Sequence, residues 1–375
     1  PLSPRHHDSF SNFRHASVTM LSHFPFPADQ KGSAPMKTLT LLEPGRLVFG
    51  ETPAPAAPGP GEALVRVHRV GICGTDIHAF AGKQPFFSYP RILGHELGVE
   101  VVALGPDVAN VQVGDRCSVE PYVNCEHCVA CRRGKPNCCA NMRVIGVHTD
   151  GGMRDYFLLP ARKLHTANNL SYEQIALVET LAIGAHAVAR ATVAPGENVL
   201  VIGAGPIGLS VIEFARATAR VIAMDISEKR LAFVRQNLGV PDTIDARSPT
   251  TPPVERLRNL THGDMPTVVI DATGNPQSMA GALNFLANGG RLVYVGLFQG
   301  DFSLNDPEFH RRETTLLGSR NALSSDFTNL IRMIESGKIS TDPWITHRAP
   351  AQEAAAAFPQ WVAPDSGVLK AIIAF

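Results

Sequence analysis

The segment that most constrains this chain is Asn198-Val-Leu-Val-Ile-Gly203-Ala-Gly205-Pro-Ile-Gly208, an apolar run that ends in G-x-G-x-x-G and continues into PIGLSVIEFARAT. Alone, that spacing says little. Set between a strand and a helix, with an acidic residue closing the next strand, it marks the first turn of a βαβ unit. RVIAMD supplies the next strand, and Asp225 stands 20 residues after Gly205. Gly203 permits the tight turn, Gly205 lets a pyrophosphate approach the backbone, and Gly208 lets helix and strand pack closely. Pro206 and Ile207 open the helix whose N-terminus faces the phosphate.

Asp225 can accept hydrogen bonds from both ribose hydroxyls of NAD, whereas the 2′-phosphate of NADP would meet like charge there, so NAD is the expected cofactor. No basic residue stands immediately beside it in sequence, and Arg230 lies a helical turn farther on in SEKRLAFVRQN. TVVID, SMAGALNFLAN and RLVYVG then repeat the strand-helix-strand scheme, which implies a parallel sheet with helices on both faces. After Ser319 the order loosens to one expected helix, SDFTNLIRMIES, and a closing strand, VLKAIIAF.

A different pattern precedes the βαβ region. From Met36 to about Arg162, short alternating runs such as ALVRVHRVGIC are separated by Pro and Gly clusters such as PAPAAPGPGE, the chemistry of a small β-barrel or sandwich. Residues 1–35 show neither period and are read as a loose extension. With 375 residues two domains are expected. The 34 basic and 34 acidic residues balance, which argues against a nucleic-acid partner. No apolar run has the length of a membrane span and no signal peptide is legible, so a cytoplasmic protein is expected.

All seven cysteines fall between Cys73 and Cys139, crowding that points to metal rather than to disulfides. Cys125, Cys128 and Cys131, followed by Cys138 or Cys139, offer four thiolates for a closed structural Zn(II) site. Cys73-Gly-Thr75-Asp-Ile-His78 and Gly94-His95-Glu96 form a second, mixed set of the kind found at catalytic zinc. Glu179 lies in the apolar run ALVETLAIGAHAV, where a buried carboxylate needs a partner.

Together these residues resemble the zinc-containing medium-chain dehydrogenase/reductase family from about Met36 to Phe375. The resemblance implies an α/β protein: a GroES-like β-barrel catalytic domain, 36–190, carrying two zincs; a Rossmann NAD-binding domain, 191–320; and a segment, 321–375, returning to the first. It selects Cys139 as the fourth structural ligand and Cys73 and His95 as catalytic ones. Where the alcohol dehydrogenase branch has a further cysteine this chain has Glu179, as in the polyol, threonine and sugar-acid branch, with Glu96 or Glu179 on the metal. The family's proline after that glutamate is replaced by Thr180. By resemblance Thr75 takes the substrate proton, His78 ends the relay, and Asp76 orients a ligand. Asp271, Thr273, Gly274, Val295, Gly296 and Leu297 wall the cofactor, and Lys370 lies near its phosphates.

The expected activity is hydride transfer from a secondary hydroxyl of a polyol or sugar acid to NAD, by a homodimer or homotetramer. A threonine-type or simple alcohol dehydrogenase is the alternative, with Phe86, Phe87, Tyr89 and Arg91 in the loop before Gly94. A zinc-finger nucleic-acid binder is disfavoured by the neutral charge and the absence of a basic recognition helix.

Overall fold

A computed structural model describes residues 35–84, 87–363 and 366–375, so the extension expected over 1–35 and Phe86 lie outside the described residues, apart from Pro35, which opens a strand. Along Glu62–Gly71, Ala63, Val65, Val67 and Val70 turn into the core, and this strand is the spine of a seven-stranded sheet. It pairs antiparallel with Glu96–Leu104, Tyr156–Pro160 and Lys370–Ala374. A three-stranded sheet of Arg46–Pro53, Pro35–Glu43 and Arg91–Ile92 shares its buried cluster, through Leu39, Leu41 and Leu47. These sheets make the GroES-like β-domain.

The second half is a six-stranded parallel sheet in the order Thr243–Asp245, Arg220–Asp225, Asn198–Ile202, Val268–Asp271, Arg291–Tyr294, Thr315–Gly318. That is the doubly wound order of a Rossmann sheet. The two outermost strands were not legible in the alternation, because Thr243–Asp245 is only three residues long and Thr315–Gly318, at the sheet edge, fully buries none of its residues. Successive strand residues face opposite ways. Val199 and Val201 meet the helices Tyr172–Ala191, Pro206–Ala215 and Ser324–Glu335, while Leu200 and Ile202 meet Pro253–Leu260 and the turn at 282–286.

Helix Tyr172–Ala191 joins the halves. Ser171 and Gln174 form a capping box at its start. Gly98 allows one side to lie on the β-domain, since a Cβ there would come within 2.3 Å of the Tyr172 carbonyl oxygen. Gly184 allows the other side to lie on the Gly-turn helix, where the Ser210 hydroxyl donates to the Leu181 carbonyl at 2.8 Å.

The C-terminal segment divides. Helix Ser324–Glu335 buries Phe327, Leu330, Ile331 and Ile334 in the core of the parallel sheet, and from Ile345 onward the chain supplies two strands to the seven-stranded sheet of the β-domain. A helix, Ala351–Trp361, adds to the one expected after Ser319. Its buried residues, Ala351, Ala354, Phe358 and Trp361, keep a three-four-three spacing that the alanine run makes hard to see. Among the described residues no helix is long and apolar enough to cross a membrane.

Candidate active site and metal centres

Two neighbouring strands of the β-domain deliver the mixed cluster. Cys73 follows strand Glu62–Gly71 and stands at the N-cap of the short helix Gly74–Phe80. Glu96 opens its own strand directly opposite Gly71, and a Cβ at Gly71 would sit 2.1 Å from Glu96 Oε2, so glycine makes the room for this carboxylate. The ligand atoms of Cys73, His95 and Glu96 all lie within 4.8 Å of one another.

Buried Asp76 braces this set. Its Oδ2 accepts the Cys73 backbone N–H at 2.9 Å, and its Oδ1 lies 3.8 Å from His95 Nδ1, with neither of those two atoms otherwise hydrogen-bonded. Carboxylate against one ring nitrogen leaves the other free for a metal, the arrangement that orients zinc-binding histidines. Burial disfavours charge on His95, but Cys73, Asp76 and Glu179 outweigh it and raise the imidazole well above its usual pKa.

The expected place of Lys370 beside cofactor phosphates is overturned. The side chain is 1% exposed, and its ammonium donates to both Glu96 oxygens at 2.7 Å, to the Ile72 carbonyl at 3.1 Å and to Thr180 Oγ1 at 3.0 Å. An ammonium has three donors, and all are spent inside the fold. Burial opposes ionisation of Glu96, yet Lys370 prevails and lowers its pKa.

Glu179 stands outside the 4.8 Å set and accepts the Tyr122 hydroxyl. Burial pushes its pKa up. Tyr122, Thr180 and the Lys370–Glu96 pair were missed from sequence. The one available signal was Thr180 in place of the family proline: the helix runs on unbroken there, and the hydroxyl meets the lysine. Thr75 is half-buried on the first turn of helix Gly74–Phe80, and His78 is exposed one turn later. Arg91 bonds Asp150 and Ser88 within the β-domain.

The other cluster gathers Cys125, Cys128, Cys131 and Cys139, while Cys138 is exposed and outside it. The sulfurs of Cys128 and Cys131 are 3.5 Å apart, Cys128 and Cys139 3.9 Å, and Cys139 and Cys125 3.4 Å. Disulfides are far shorter, whereas tetrahedral zinc with 2.3 Å bonds spaces its sulfurs by about 3.8 Å. Backbone N–H groups of Cys125 and Asn141 point at Cys139 Sγ, and Asn124 Nδ2 points at Cys131 Sγ. Desolvation works against ionising Cys125, but N–H donors from His127 and Cys128 outweigh it and bring the thiol down to about 5. Desolvation prevails at Cys139, pushed up to about 11. The donor set fits zinc.

The Gly turn lies at the carboxyl end of the parallel strand Asn198–Ile202. Gly203 has φ +91°, and a Cβ on Gly208 would fall 1.7 Å from the Gly203 carbonyl oxygen, so the turn tolerates no side chain at either place. Gly205 caps helix Pro206–Ala215, with only Arg230 Nη1 within 4 Å of a Cβ built there. Thr273 and Gly274 follow the neighbouring strand Val268–Asp271, and Val295, Gly296 and Leu297 follow the next, Arg291–Tyr294; Gly296 and Gly274 approach so closely that a Cβ would clash. Leu297 is 57% exposed on this rim. Asp271 is buried and accepts from Thr273 and Ser278.

Asp225 is tied into the turn itself. Its Oδ2 accepts the Ala204 N–H at 2.5 Å and its Oδ1 the Ser227 N–H at 2.7 Å, bracing the Gly turn. The helix also carries Arg230 back to 3.9 Å from Asp225, so a basic residue does stand beside it in space.

Two family models match: the alcohol dehydrogenase GroES-like domain over residues 59–169 and the zinc-binding dehydrogenase over 206–336. The chain is 43% identical over 347 residues to the L-galactonate-5-dehydrogenase of Escherichia coli K12, covering 91% of this chain and 99% of that one. Among solved structures it superposes on an alcohol dehydrogenase of E. coli CFT073 complexed with NADH, with a TM-score of 0.84, 30% identity, and 92% and 100% of the two chains covered. A zinc-binding dehydrogenase of Sinorhizobium meliloti 1021 bound to NADP gives 0.81, 26% identity, and 92% and 100%.

Proposed function

The chain belongs to the zinc-binding dehydrogenases, and we propose that within that family it oxidises a secondary hydroxyl of a sugar acid or polyol to the ketone, reversibly, with NAD as acceptor and two zincs per chain. The observation that carries this reading is the assembly of Cys73, His95 and Glu96 around one point, joined through the helix bearing Glu179 to the helix that opens at the Gly turn. The sugar-acid substrate follows the relative named L-galactonate-5-dehydrogenase.

Cys73, His95 and Glu96 would hold the catalytic zinc, and Cys125, Cys128, Cys131 and Cys139 the structural one. Bound there, zinc supplies Lewis acidity toward the substrate hydroxyl, and nicotinamide supplies the hydride acceptor. Thr75 Oγ1 would accept the substrate hydroxyl proton as it releases its own outward, and His78, exposed one helical turn on, would be the end of that relay, handing a proton to solvent. Asp76 keeps the His95 ring in place, Lys370 holds Glu96, and Tyr122 holds Glu179. The Gly turn, Arg230 and the 273–274 and 295–297 strand ends bind and orient the dinucleotide. A homodimer or homotetramer is the working assembly, to be read from light scattering.

A panel of sugar acids, polyols, threonine and primary alcohols, followed by NADH absorbance, tests the substrate. Threonine or a primary alcohol outpacing every sugar acid and polyol would replace this reading with the alternative. For the cofactor, Asp225→Ser should weaken NAD by about ten- to a hundredfold, the loss of a charge-assisted hydrogen bond of ~1.5 to 3 kcal/mol. NADP should improve at the same time, since the repelling carboxylate is gone and Arg230 is freed for the 2′-phosphate. An unaltered ratio of kcat/KM for the two nucleotides in the variant, or a parent preferring NADP, removes NAD from the assignment.

A further inference from the structure

We propose that Asn137 and His186 are positioning residues for the cofactor side of the cleft, tying the four-cysteine lobe to the turn that leaves the last strand of the parallel sheet. The inference rests on the dinucleotide reading above. Asn137 sits in the short turn Pro136–Cys138 and, at 3% exposed, is more deeply buried than any lobe cysteine. Its Nδ2 donates to the Arg320 carbonyl at 2.9 Å and lies 3.1 Å from His186 Nε2, while Asn321 Nδ2 donates back to the Asn137 carbonyl at 3.1 Å.

The chain of contacts continues. His186 Nδ1 lies 3.0 Å from Asp326 Oδ2, and the same oxygen accepts the Leu323 N–H at 2.8 Å, capping helix Ser324–Glu335. A carboxylate only accepts, so Nδ1 carries the hydrogen and Nε2 is left to accept from the Asn137 amide. One polar chain thus runs from the lobe through helix Tyr172–Ala191 to the cap of a third element.

What it grips is the segment 319–323. This segment follows Thr315–Gly318 at the carboxyl end of the sheet, the end where dinucleotides lie in such folds. An independent tie acts on the first turn of the same helix: Ser324 Oγ donates to Glu120 Oε2 at 2.6 Å, and Phe327 stacks on His165 with centroids 5.0 Å apart. The turn is therefore held from the lobe and from the β-domain together, and on the lobe side the ties run through the His186 imidazole and the side-chain amides of Asn137 and Asn321.

His186→Ala, His186→Gln and Asn321→Ala test this, with metal content measured in each, NADH dissociation followed by fluorescence, and KM for the nucleotide separated from kcat. Metal content should stay at the parent level. His186→Ala should weaken NADH and raise the nucleotide KM by about tenfold, the loss of a buried hydrogen-bonded bridge. Glutamine can donate to Asp326 and accept from Asn137 at once, so His186→Gln should recover most of the affinity. Asn321→Ala, losing one bond, should weaken NADH by about threefold and carries the test if His186→Ala does not fold. NADH dissociation equal to the parent's in the alanine variants, or equal weakening by alanine and glutamine, overturns the inference. A parent binding neither NADH nor NADPH overturns the dinucleotide reading instead.

Discussion

The four thiols of the lobe come from one short loop, residues 125–139, and three of them stay partly exposed, whereas the other cluster draws on positions 73, 95, 96, 179 and 370 and buries all but the first. The lobe uses one element, sulfur, held by nearby backbone N–H groups. The second cluster sets thiol, imidazole and carboxylates beside a buried ammonium, and each depends on a partner from another strand or helix. A local site of identical soft ligands can close around a metal whatever the rest of the fold does, which suits a structural role. A buried site of mixed ligands exists only when the whole fold is in place, and its charges are what chemistry needs.

The comparison is sharpest in activity. Cys73→Ala and His95→Ala should lower turnover by about a thousandfold or more, since metal assistance is worth several kcal/mol. NADH binding and the metal of the lobe should survive. Loss of both metals from either variant would show the two clusters to be one cooperative unit.

Lys370→Met is expected to cost about 3 to 5 kcal/mol of folding stability in metal-free protein, because it strands Glu96 as a buried unpaired carboxylate. With metal bound the cost should shrink, as the cation stands in for the ammonium. Denaturant unfolding with and without zinc reads this directly. Equal costs in the two states would mean that Glu96 does not face the metal.

For the lobe, Cys125→Ser should lower Tm by about 5 to 10 °C, the shift that ~2 to 3 kcal/mol produces in a domain longer than 150 residues, while the Cys73 cluster keeps its metal. Calorimetry with metal analysis checks it, and an unmoved Tm would take away the structural role. The smallest effect is expected at Glu179→Gln, which should loosen the catalytic metal by about tenfold, as changes to supporting groups do. Glu96→Gln should loosen it further. The reverse order would make Glu179 the ligand.

The sequence reading reached the two clusters unequally for the same reason. The lobe's C-x2-C-x2-C spacing is a statement about one loop, and it left open only Cys138 against Cys139, of which Cys139 has its sulfur among the other three. Cys73, His95 and Glu96 were marked as a mixed thiol, imidazole and carboxylate set on two separate stretches of chain, but Lys370 was placed wrongly because its partner lies 274 residues away, across a strand pairing that sequence does not display. The Tyr122–Glu179 and Lys370–Thr180 contacts were invisible on the same grounds.

Local chemistry in the sequence was enough to determine the Gly turn, the parallel-sheet alternation, the soft-metal loop and the family, because each is a pattern within a few turns of chain. Only tertiary structure decided that Asp225 braces the Gly turn, that Arg230 returns to it, and that helix Ser324–Glu335 belongs to the sheet core. Those outcomes depend on which distant groups burial forces together, since a polar atom withdrawn from water must find a partner wherever the fold provides one.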